Sequence, residues 1–147
     1  MATIQGEIFI DRPPTQVFDV LADPRNEPRY NPRIVGVDKL TEGPVGVGSR
    51  FASRARTAGR TGTMTVQLTG YDRPRRLTST IRSASMDIDG ELTFEAASGG
   101  TLARWRWHLR PRGLLAMAGP LLTGAGRRTE RRVWRDLKRY LEAGVGR

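Results

Sequence analysis

The chain has 147 residues, a formal charge of +10 and no cysteine, which is the length of one ordinary domain (residues 1–147) with enough chain to bury a core. Disulfides and thiolate metal sites are excluded, no apolar run is long enough to span a membrane, and with no basic start leading into an apolar signal segment the expected location is cytoplasmic. Among the 25 basic residues only Lys39 and Lys138 are lysines, and the arginines recur in nearly every segment, a bias of composition rather than a concentrated nucleic-acid patch. No nucleic-acid partner is expected; the densest run, Arg127 to Arg139, is suited to a weak contact with an anionic membrane surface.

The chain opens with Ile4-Gln-Gly-Glu-Ile-Phe-Ile10, in which Ile4, Ile8 and Ile10 alternate onto one face of a strand. Asp11-Arg-Pro-Pro-Thr15 breaks it, and Thr15 is placed to cap a short helix with Val17, Phe18 and Leu21 on its apolar side, stopped by Asp23-Pro24. Asn26 to Pro32 carries two prolines around Tyr30 and Asn31 and reads as a loop or one helical turn. From Ile34 to Arg110 the pattern is of short strands: Ile34 to Leu40, the glycine-punctuated Gly43 to Gly48, Arg50 to Arg56, a turn at Gly59 to Gly62, Thr63 to Thr69, and two further hairpin arms around Asp72-Arg-Pro74. Strand after strand with short connections is an antiparallel meander.

Shared faces follow from alternation. Phe51, Ser53 and Ala55 form one set, as do Met64, Val66 and Leu68, then Leu77, Ser79 and Ile81, then Met86, Ile88, Leu92 and Phe94. Gly99-Gly100 is a two-residue turn signal that sets Ser98 opposite Thr101 and Phe94 opposite Trp105, with Trp105 and Trp107 facing inward. The same register pairs Glu95 with Arg104, Glu91 with His108 and Asp89 with Arg110 on the outer face, which makes the lone histidine structural.

The last third, Leu114 to Ala143, is the one stretch that reads as a long amphipathic helix, begun near Gly119-Pro120 and ended at Gly144. At about 100° per residue, Gly126, Glu130, Val133, Trp134, Tyr140 and Leu141 fall near Leu137 on one stripe, and the arginines fall on the other side. Glu130 is the anomaly on that stripe. An ionised carboxylate there needs an arginine partner, an open wet cavity, or a raised pKa and a working role.

In order and spacing, Ile10 to Asp23, Tyr30-Asn-Pro-Arg33, Gly43 to Gly48 running into Arg50-Phe51, Tyr71-Asp-Arg-Pro-Arg75 and Leu137-Lys-Arg-Tyr-Leu-Glu142 resemble the START-like (SRPBCC) superfamily in its polyketide cyclase/dehydrase and lipid-transport branch. The resemblance implies an α+β helix-grip fold: a curved antiparallel sheet of about seven strands wrapped around a long C-terminal helix, with two short helices after strand 1. It also implies a cavity between sheet and helix for an apolar or amphipathic small molecule such as a lipid, polyketide or aromatic compound. Tyr30 departs from the tryptophan that many relatives carry.

The residues expected around such a ligand are Tyr30, Phe51, Ser53, Met64, Val66, Ser79, Ile81, Met86, Ile88, Phe94, Trp105, Trp107, Gly126, Thr129, Glu130 and Val133. Small residues on the inner face, and Gly124 and Gly126 in the helix, either leave room for the ligand or let the helix cross the sheet closely. Three functions stay open: a binding or transport module for a hydrophobic ligand, a cyclase or dehydratase with Glu130 as acid or base, and a basic-surface protein acting on membranes or nucleic acid. No nucleophile–base pair, metal-ligand cluster or cofactor motif is visible, so no cofactor or metal is expected, and the chain is expected to be a monomer or homodimer.

Overall fold

The computed structural model describes residues 2–57 and 59–144. In chain order it contains β1 (Ala2–Ile10), α1 (Pro14–Ala22), a 3-10 helix (Pro24–Arg29), β2 (Ile34–Lys39), β3 (Arg50–Thr57), β4 (Arg60–Asp72), β5 (Arg76–Arg82), β6 (Met86–Ala97), β7 (Gly100–Pro111), a second 3-10 helix (Gly113–Ala118) and α2 (Gly119–Glu142). The strands form one seven-stranded antiparallel sheet in the order β1-β7-β6-β5-β4-β3-β2. Six strands form the meander, and the first strand returns beside the last.

The alternation read along the strands is the burial observed. Ile4 and Ile10 of β1, Phe51 and Ser53 of β3, Leu68 of β4, Leu77 of β5, Leu92 and Phe94 of β6, and Ala103, Trp105 and Leu109 of β7 are all buried on the inner face. Trp134, Leu137 and Leu141 of α2 meet them. Within that contact the indole of Trp134 is stacked on that of Trp105, 4.5 Å between centroids and 10° between planes. At the far end α2 is latched to the turn after β1. Arg12 donates to the Glu142 carbonyl at 2.6 Å, the Asp11 amide donates to the Glu142 carboxylate at 2.8 Å, and Lys138 donates to the Phe9 carbonyl at 2.8 Å. Gly144, at φ 83°, ends the helix as expected, because only a left-handed residue there lets the chain turn back onto the last carbonyls.

Several local expectations are corrected. The stretch from Leu114 divides: residues 113–118 are a 3-10 helix, and α2 itself starts at Gly119, where the Gly119-Pro120 signal put it. Thr15 lies inside α1, whose N-cap is Pro13 with Pro14 at the first helical position, and the cap makes no side-chain hydrogen bond. Asp23 does cap, but it caps the next element, accepting from the Arg25 amide at 3.0 Å. Residues 43–48 form a loop, and β4 begins at Arg60, paired with Thr57, without a break through Gly62.

The final hairpin turns at Ser98-Gly99 and not at Gly99-Gly100: φ is 48° and 81° at those two residues, the twist that a two-residue hairpin needs. Gly100 is already in β7, opposite Ala97, and its missing side chain serves another purpose, since a Cβ there would strike the Ile10 carbonyl and the Phe9 ring. The register therefore moves by two residues, Leu92 against Trp105 and Phe94 against Ala103. A shift of two keeps every face, so Trp105 stays buried inside and Arg104 and Arg106 stay exposed outside. Glu95–Arg104 at 3.1 Å and Asp89–Arg110 at 2.6 Å survive as diagonal ion pairs. Glu91–His108 does not. Glu91 is bound by Arg76 at 2.6 Å, and His108 Nδ1 shares a hydrogen bond with the Thr3 hydroxyl at 3.1 Å on the outer face.

Candidate functional site

A cavity of about 110 Å³ lies between α2 and the sheet. Leu21, Pro24, Glu27 and Tyr30 close it from the α1 side, Val66, Leu68, Leu77, Ser79, Ile81, Leu92 and Trp107 line the sheet side, and Glu130, Val133, Trp134 and Leu137 line the helix side. Two larger depressions, about 400 and 390 Å³, lie on the outer face of the sheet among exposed charged side chains. They are more open and are crossed by the ion pairs of the ladder, so the partly closed, more apolar cavity under α2 is the better candidate despite its size.

Of the residues expected around a ligand, Tyr30, Val66, Ser79, Ile81, Trp107, Glu130 and Val133 come together in this cavity. Phe51, Ser53, Phe94 and Trp105 are instead buried in the core. The Phe94 ring is taken up by an edge contact with Phe18 at 5.7 Å, and Trp105 by its stack on Trp134. Met64, Met86, Ile88 and Thr129 are part-buried outside the lining. Gly126 lies against Ile4 of β1, where a Cβ would collide, so it serves the close crossing of helix and sheet and makes no room for a ligand; Gly124 faces open space.

Glu27 was not expected there. It lies in a turn between Pro24 and Pro28, where the sequence offers only the Glu27-to-Asn31 spacing as a hint, and that spacing becomes a hydrogen bond from Asn31 Nδ2 to the Glu27 carboxylate at 2.9 Å. Leu68, Leu77, Leu92, Trp134 and Leu137 were legible as inner-face residues, but nothing in their pattern separates a cavity wall from a packed core.

The two carboxylates set the electrostatics. Both are part-buried and both line the cavity. Burial first, and the negative charge of Glu27 second, raise the pKa of Glu130 to about 7, while the nearby Trp107 indole and the positive charge of Arg33 act the other way. The Trp107 N–H lies close enough to favour the charged carboxylate without completing a hydrogen bond. No arginine makes an ion pair with Glu130 among the described residues, so the first of its three possible compensations is absent there, and its burial raises its pKa. Burial also raises Glu27, against the Asn31 hydrogen bond and the charge of Arg33. Tyr30 is raised well above its usual value by burial and then by both carboxylates, so its phenol keeps its proton. Chemically, the cavity offers an apolar wall, a phenol, and a carboxyl group that both accepts and donates near neutral pH. Among the described residues no group of three or more His, Cys, Asp or Glu could hold a metal ion, and no helix is long and apolar enough to cross a membrane.

The family described as polyketide cyclase / dehydrase and lipid transport matches residues 1–142. Among solved structures, a START superfamily protein from Mycobacterium smegmatis superposes with a TM-score of 0.83 at 12% identity, covering 96% of this chain and 97% of its own. The Zhui aromatase/cyclase from Streptomyces sp. R1128 superposes with a TM-score of 0.82 at 17% identity, covering 98% of this chain and 95% of its own. At those identities the likeness is one of fold. No curated protein matches the sequence.

Proposed function

Because the chain belongs to the polyketide cyclase/dehydrase and lipid transport family and has the helix-grip fold of START proteins, we propose that it binds an amphipathic small molecule between sheet and α2, with Glu130 as the polar anchor. The observation that carries this reading is the pairing of an apolar wall with one carboxyl group poised near neutrality. An apolar wall selects for volume, and a buried acid that can give or take a hydrogen bond selects for orientation.

Size constrains the occupant. At about 110 Å³ the cavity is well short of the roughly 300–1,000 Å³ of drug-sized sites, so a ring-sized group fits as it stands. A lipid or polyketide enters only if α2 moves away from the sheet wall of the cavity. The second reading, an enzyme of the cyclase or dehydratase kind, is favoured by the same Glu130: a general acid or base works best with a pKa near the working pH. The aromatase/cyclase among the structural relatives supports it at the level of fold.

Native mass spectrometry of the purified protein, followed by Glu130→Gln, tests both. A retained small molecule that the variant holds more weakly supports the binding reading. Turnover of an aromatic polyketide-like substrate by the parent, lost in Glu130→Gln, replaces it with the enzymatic one. A ligand held equally well by both proteins removes Glu130 from the site.

A further inference from the structure

The side of α2 turned away from the cavity is unusual in a different way. Leu114, Met117 and Leu121 are 87%, 83% and 80% exposed, and they follow one another at intervals of three and four residues through the second 3-10 helix and the first turn of α2. Single exposed leucines are ordinary; three in succession at helical spacing make a patch. At about 100° per residue, Arg128, Arg132, Arg135 and Arg139 lie within about 40° of the line that runs down the helix from Leu121. All four are exposed, and none has an ion-pair or hydrogen-bond partner among the described residues. The acids of α2 do not offset them: Glu130 faces the cavity, Asp136 is part-buried to one side, and Glu142 is held by Lys138 at 2.6 Å.

An apolar tip continuing into a row of unpaired guanidinium groups needs a partner that is apolar below and anionic above. A second copy of the chain fails this test, because a twofold contact sets the arginine row against itself. A nucleic acid would take the arginines but leave the three apolar side chains in water. We propose that this face of α2 is a docking surface for an anionic lipid bilayer, with Leu114, Met117 and Leu121 entering the headgroup–acyl boundary and the arginines lying at the level of the phosphates. This surface stands independently of what the cavity holds. Since Val133, Trp134 and Leu137 line the cavity from the opposite side of the same helix, a docked α2 would lie between bilayer and cavity.

The test is sedimentation of the full chain with vesicles of phosphatidylcholine alone or mixed with phosphatidylglycerol. The protein is expected to follow only the mixed vesicles, with binding weakened about fivefold for each arginine changed in Arg128→Gln and Arg132→Gln. The Leu114→Ser, Met117→Ser, Leu121→Ser variant, whose positions are exposed, is expected to keep its melting temperature and lose binding at physiological salt. The proposal is overturned if the parent ignores mixed vesicles while binding duplex DNA or forming a dimer. It is equally overturned if the apolar variant binds mixed vesicles as tightly as the parent, since adsorption would then be a matter of charge alone.

Discussion

Glu27 and Glu130 line one cavity from opposite ends of the chain, and after burial itself it is the charge of Glu27 that raises Glu130 to about 7. Two carboxyl groups in one small space disfavour double ionisation, so the cavity tends to keep a proton that either acid alone in water would release.

Replacing Glu27 by Gln removes the second of the two causes and leaves the first. The pKa of Glu130 is expected to fall below 7 in this variant while staying above that of a solvated glutamate, as read by titrating the labelled carboxyl carbon by NMR. An unmoved titration would mean that burial alone sets the value.

The same shift predicts a stability profile. Between about pH 4.5 and 7 the folded chain holds a proton on Glu130 that the unfolded chain has released, so this group's contribution falls as pH rises through that window and is flat on either side. The shift from 4.5 to about 7 amounts to roughly 3 kcal/mol across the window. Because Asp23, Asp87 and Glu142 are shifted downward and act in the opposite sense, the quantity to measure is the difference in urea denaturation between parent and Glu130→Gln. That difference should grow with pH in favour of the variant, and equal slopes would contradict a raised Glu130.

Trp105→Ala is expected to lose about 3–5 kcal/mol of stability, since it deletes a large side chain that is 5% exposed together with its stack on Trp134. The double reversal Arg131→Glu, Arg132→Glu, on the exposed side of the helix, should leave the melting transition within about 0.5 kcal/mol of the parent. Chemical denaturation of the two variants side by side checks both figures.

Two glycines should respond with opposite signs. The Trp107 ring lies directly over buried Gly90, so Gly90→Ala displaces a cavity-lining side chain and is expected to cost about 1–3 kcal/mol, with a shift in tryptophan emission. Gly124 is exposed on α2 with nothing in the way of a Cβ, so Gly124→Ala is expected to stabilise by about 0.5–1 kcal/mol. A stabilised Gly90→Ala, from calorimetric melting, would show that the ring moves aside freely.

What the sequence determined by itself was whatever rests on periodicity. The period of two along β1 to β7 and of 3.6 along α2 sorts residues onto faces, and burial on folding rewards those faces directly, so Ile10, Leu92, Trp134 and Leu141 were legible as core. Even the hairpin placed two residues away from its true turn left Trp105 and Arg104 on the correct sides, because side-chain alternation repeats every two residues. Turn position itself was not legible: two adjacent glycines look alike in sequence, and only the approach of the Ile10 carbonyl shows that Gly100 belongs to the strand. The division of the inner face between packed core and cavity was also left to the tertiary structure. Phe94 and Val66 sit on the same face with the same pattern, yet Phe18 packs against one and the other lines the cavity. Glu130 announced itself as a charge on an apolar stripe, but its partner did not, since the meeting of Glu27 with Glu130 depends on the first 3-10 helix and α2 reaching the same cavity from distant parts of the chain, and no local pattern encodes a distance of that kind.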